Sequence, residues 1–64
     1  MKSTAERLQS QLIENCDQLV SHVKLLRDYA TTPDNVWLAR GELNRINELS
    51  GEMEQLLAEI KDAD

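Results

Sequence analysis

A single cysteine, Cys16, and a single histidine, His22, are all that this chain offers to disulfide or zinc chemistry. One cysteine cannot close an internal disulfide, and the pair falls short of the four ligands of a structural zinc site. The shortage matters because the chain has only 64 residues, and a domain of that size buries only about 60 % of the surface its unfolded form exposes. Small domains make up the deficit with disulfides, metals, oligomerisation or the packing of long helices. Only the last two are open to this sequence, which makes one domain, residues 1–64, with a core that is small or shared.

Other absences narrow the function. No apolar run approaches the roughly 20 residues of a membrane span, and the first twelve residues, MKSTAERLQSQL, carry charges where a signal peptide would be apolar. The expected compartment is therefore the cytoplasm. There is no phosphate-binding glycine loop and no calcium-loop spacing, so no cofactor or metal is expected. A net charge of −5 argues against direct binding of nucleic acid, which needs a basic face. The excess is local. Lys2, Arg7, Lys24, Arg27, Arg40 and Arg45 balance Glu6, Glu14, Asp17, Asp28, Asp34 and Glu42, whereas from Ile46 onward only Lys61 opposes Glu48, Glu52, Glu54, Glu59, Asp62 and Asp64. That acidic last third is either a solvated helix face or a surface for a basic partner.

What the chain does have is two helical patterns separated by its only proline, Pro33. Ser3-Thr4-Ala5-Glu6 has the form of a capping box, which starts the first helix. Leu12, Cys16, Leu19, Val23, Leu26 and Ala30 then recur at spacings of four and three, an apolar stripe that loses register toward Leu8 and Ala5. The residue before a proline disfavours the helical region, so this helix ends near Ala30 or Thr31. Thr32 is the expected N-cap of the second helix, with Asp34 as its rival and Pro33 at the first helical position. Val36, Ala39, Leu43, Ile46, Ser50, Met53, Leu57 and Ile60 continue as a heptad seam with one polar member, Ser50. The expected fold is an all-α antiparallel helical hairpin, helices about 4–30 and 33–62, joined by a short loop and dimerising into a four-helix bundle. Gly51, inside the second helix, points to close helix approach or to local flexibility.

Trp37 falls about 150° from the seam of the second helix, and Gly41, one turn on, lies on the same outward side. Leu25 and Tyr29 stand outside the stripe of the first helix on one flank, while Ile13 and Val20 widen it on the other. An apolar arc so broad exceeds what one neighbouring helix covers, and contiguous exposed apolar surface marks an interface. Leu25, Tyr29, Trp37, Leu38, Gly41, Ile13 and Val20 are thus the candidate residues for contact with a partner or a second copy. The alternative for Trp37 is that it folds back over the turn onto its own chain.

Enzymatic chemistry finds little support. Cys16 and His22 lie about 120° apart on one helix and cannot meet there, and Cys16 belongs to the apolar stripe. Glu48 and Glu52 stand one turn apart, but a hairpin offers no cleft in which to perturb a carboxylate pair. No catalytic residues are assigned.

In length, in the Thr32-Pro33 turn and in the position of Trp37, the chain resembles two groups of small helical-hairpin proteins from bacteria and their phages. One is the acidic accessory proteins of lambdoid phage early regions, which modulate host processes. The other is the hairpin co-chaperones of type III secretion needle subunits, which carry a tryptophan early in the second helix. The acidity of the whole chain favours the first resemblance, which implies a homodimeric regulatory protein acting by binding in the host cytoplasm. The second implies a subunit, co-chaperone or antitoxin-like, whose core is completed by a different helical protein. An acidic mimic that binds a basic protein through Glu48 to Asp64 is a third possibility.

Overall fold

The computed structural model describes residues 3–63, so Lys2 and Asp64, counted in the charge balance, lie outside the described residues. Two helices, α1 (Thr4–Ala30) and α2 (Val36–Ala63), are joined by Thr31 and Thr32 and one turn of 3-10 helix, Pro33–Asn35. The protein is an all-α helical hairpin. At 1.5 Å per residue the helices are each about 40 Å long, and the molecule measures 48 × 18 × 10 Å, a two-helix layer one helix thick.

The ends follow local chemistry. Ser3 is extended and its Oγ accepts the backbone N–H of Glu6 at 3.2 Å, which closes one half of the capping box. At the other end Thr31 Oγ1 donates to the carbonyl oxygen of Asp28 at 2.7 Å, satisfying an acceptor that the finished helix leaves over. Thr32 has the extended backbone of a cap, as expected, but its side chain makes no capping hydrogen bond. Its carbonyl oxygen instead accepts the Asn35 N–H at 2.9 Å, so α2 is entered through a 3-10 turn rather than directly at Pro33. Asp34, the rival cap, sits within that turn.

The contact seam between the helices differs from the expected one in both helices, and by the same displacement. On α1 the inward residues are Ala5, Leu8, Leu12, Asn15, Leu19, His22, Leu26 and Tyr29, an unbroken alternation of three and four. Leu12, Leu19 and Leu26 were expected. Cys16, Val23 and Ala30 give way to Asn15, His22 and Tyr29, each one residue earlier, and Leu8 and Ala5 stay in register to the first turn. On α2, Ala39, Ile46, Met53 and Ile60 face inward as expected, but Val36, Leu43, Ser50 and Leu57 are exposed, replaced by Asn35 of the 3-10 turn and by Glu42, Leu49 and Leu56 of α2, again one residue earlier. A one-residue shift turns a side chain by about 100°. Each broad apolar arc has therefore been covered along one edge and left open along the other.

Leu49, absent from the expected seam, is the best-buried side chain described, with 0 % of its surface exposed. It sits between Arg45 and Glu52, whose partners across the seam are Gln18 and Asn15. The inward polar residues Asn15, His22 and Glu42 find side-chain partners. Asn15 Nδ2 donates to Glu52 Oε2 at 3.4 Å, and Asn15 Oδ1 accepts from Gln11 Nε2 at 2.9 Å. His22 Nδ1 is hydrogen-bonded to the Glu42 carboxylate. These bonds meet the requirement that buried polar groups find partners, and among the described residues no buried side-chain nitrogen or oxygen lacks one.

Candidate interaction surface

The uncovered edge of each arc sets the surface. On α1, Ile13, Cys16, Val20 and Val23 lie clockwise of the inward direction seen from the N-terminus, and on α2 Val36, Leu43, Ser50 and Leu57 lie on the equivalent flank. In antiparallel neighbours the same sense of rotation about each axis points to the same side of the pair, so both sets share one face of the layer. Ile13 is 61 % exposed and Leu57 55 %, and Val20, Val23, Val36 and Leu43 are exposed as well. Ile46 and Met53, half-buried, continue the apolar strip toward the seam. Cys16 is half-buried at its inner margin.

The opposite face is polar over most of its length. Arg45 reaches across it to Gln18 Oε1 at 3.5 Å while also donating to Glu48 Oε2 at 3.0 Å. Further from the turn, a shallow open groove between the helices is lined by Gln11, Asn15, Glu52, Gln55, Leu56 and Glu59. Three of the acidic residues of the last third, Glu48, Glu52 and Glu59, therefore lie on this face, and two of them are engaged with neighbouring side chains. Among the described residues no group of histidine, cysteine and carboxylate side chains is arranged to hold a metal.

The candidate contact residues divide between the two faces. Ile13 and Val20 belong to the open apolar face. Leu25, Trp37 and Gly41 lie on the polar face near the turn, where Trp37 is 72 % exposed and so does not fold back over its own chain. Tyr29 and Leu38, expected as contact surface, are half-buried at the turn end of the seam, with one edge toward the same face as Trp37. A Cβ added at Gly41 or at Gly51 meets nothing within 4 Å, so neither glycine marks a close approach of the two helices. The residues that sequence reasoning placed in the core but that the hairpin leaves wet, Val23, Val36, Leu43 and Leu57, prove to form most of the open face.

Cys16 and His22 remain on different flanks of α1, and His22 is directed at Glu42. No helix among the described residues is long and apolar enough to cross a membrane. No family model, curated protein or solved structure matches the chain.

Proposed function

We propose that this chain is a non-enzymatic interaction protein whose working surface is the open apolar face, through which hairpins associate into a four-helix bundle. The observation that carries this reading is the continuity of the face. Exposed valine, leucine and isoleucine side chains run from Leu57 and Ile13 to Val23 and Val36, over most of the layer's length, whereas the opposite face exposes only Leu25 and Trp37 among the large apolar side chains described. A monomer in water rarely leaves so much contiguous apolar surface bare, and a two-helix layer becomes a bundle when such faces meet.

In this reading the protein belongs with the homodimeric regulatory or accessory proteins of phages and bacteria, acting on a host process in the cytoplasm by binding. The exposed Trp37, with Leu25 and the edge of Tyr29, supports a second contact, with a different protein, on the face that self-association leaves free. Tryptophan and tyrosine are frequent anchors of such contacts because a large apolar ring buries well while its polar tip still finds a partner.

Sedimentation equilibrium over a dilution series into the low micromolar range tests the reading, with Leu43→Glu as the control that places a charge on the open face. Self-association of the wild type, lost in Leu43→Glu, supports it. A wild type that stays monomeric and fully helical throughout refutes it.

A further inference from the structure

We infer that the open face is covered by a second copy of this chain lying antiparallel, its turn at the opposite end, with the two-fold axis passing beside Ser50 of α2. The inference rests on the reading of that face as an interaction surface and specifies its occupant and geometry.

Self-complementarity is the first ground. In a contact related by a two-fold axis, residue i meets residue j and j meets i, so the pattern must survive reversal. On α1, Ile13 and Val23 are equidistant from position 18, as are Cys16 and Val20. On α2, Leu43 and Leu57 are equidistant from Ser50, with Ile46 and Met53 between. The Asn15–Glu52, Gln18–Arg45 and His22–Glu42 bonds set position 18 of α1 level with residues between Arg45 and Glu52 of α2, so the two centres lie about 5 Å apart along the hairpin. One axis midway between them brings each pair to within about 5 Å of register. It lays α1 over α1 and α2 over α2, bringing Leu43 opposite Leu57 of the second copy and Ile13 opposite Val23 of the second copy. Ser50, the small member of the strip, meets its own counterpart where the two α2 helices cross.

Charge on the margins of the face points the same way. Near the turn the margins carry Lys24, Arg27 and Arg40; toward the open end they carry Glu6 and Glu54, with Lys61 the one cation there among the described residues. If the two turns lay together, α1 would sit over α2 and the two copies would gather all their turn-end cations at one end of the bundle. The antiparallel arrangement separates them and sets Lys24 and Arg27 toward the end that holds Glu6 of the second copy.

Area is the third ground. A face spanning the layer's 48 × 18 Å is of the order of the 800 Å² or so that each partner gives to a stable protein interface. A second hairpin is the same size and covers it end to end. One consequence is that the dimer presents its two Trp37 patches on opposite outer faces, about 35 Å apart along the bundle, since each Trp37 lies about twelve residues from the axis at 1.5 Å per residue. A target with two matching sites at that span would be held bivalently.

The arrangement is read by disulfide trapping in the variant Cys16→Ser/Ser50→Cys, after sedimentation has established whether the wild type self-associates. Mild oxidation is expected to convert most of the variant to a covalent dimer, because the thiols face each other across the axis within bonding reach. A second measurement places a spin label at Thr32→Cys in the Cys16→Ser background, where the side chain makes no capping bond. Dipolar spectroscopy is expected to give a separation of about 45 Å, because Thr32 lies about fifteen residues from the axis. A dimer whose Ser50→Cys thiols stay reduced, or whose turn labels lie within about 25 Å, overturns the antiparallel geometry while leaving self-association intact. A wild type that is monomeric overturns both.

Discussion

Replacing Leu49 with alanine tests the packing register of the hairpin. Leu49 has no exposed surface and lies between the two levels at which side chains bridge the helices, Gln18 to Arg45 and Asn15 to Glu52. Truncating a fully buried leucine removes its transfer free energy and leaves a cavity, a loss of about 3 kcal/mol where the surroundings relax only in part. A chain of 64 residues has a total stability of roughly 3–10 kcal/mol, so the variant is expected to lose a third of its stability or more. Leu57→Ala is the informative comparison. In the single hairpin Leu57 is more than half exposed, and its truncation should cost under about 1 kcal/mol unless the open face is covered. Urea unfolding followed by circular dichroism, at two protein concentrations a hundredfold apart, separates these contributions. Leu49→Ala should be destabilised at both concentrations, whereas the deficit of Leu57→Ala should grow with the population of dimer. A Leu49→Ala variant within 0.5 kcal/mol of wild type, with Leu57→Ala the worse of the two at low concentration, would show that the hairpin pairs along Val36, Leu43, Ser50 and Leu57 and would refute the register described above.

Three further predictions follow from single observations. Gly51→Ala places a methyl group in open space in the middle of α2 and should stabilise the protein by about 1 kcal/mol, read as a higher urea midpoint with unchanged slope. A double-mutant cycle on His22 and Glu42, partners separated by 20 positions in the chain, should return a coupling of about 1 kcal/mol; additive single mutants would show the bond to be energetically idle. Trp37→Ala, on the face away from the apolar strip, should leave unfolding within about 0.5 kcal/mol of wild type and leave self-association unchanged, and a shift of either would place Trp37 in the bundle contact.

Much of the open apolar face is legible in the sequence, though as core rather than as exposed surface. The breadth of the apolar arc, with Ile13 and Val20 beyond the stripe, already implied more surface than one helix covers, and the outward direction of Trp37 followed from its spacing alone. Val23, Val36, Leu43 and Leu57 were recognised as members of an apolar seam, but they belong to the strip that the hairpin leaves open. Leu49 was missed because the seam containing it also contains Glu42, and the matching seam on α1 contains Asn15 and His22. Polar residues at those positions read locally as interruptions.

The sequence by itself determined the two helices, their near-equal lengths and the turn, because caps, proline geometry and apolar periodicity act over a few residues. Ser3, Thr31 and Pro33 each do their work within four positions of themselves. Only the tertiary structure decided which edge of each arc faces inward. Two heptad seams one residue apart share Leu12, Leu19 and Leu26 on α1, and Ala39, Ile46, Met53 and Ile60 on α2, so periodicity cannot choose between them. The choice is made by pairings such as Asn15 with Glu52 and His22 with Glu42, 37 and 20 positions apart. These bonds make inward polar residues tolerable only once the two helices lie side by side.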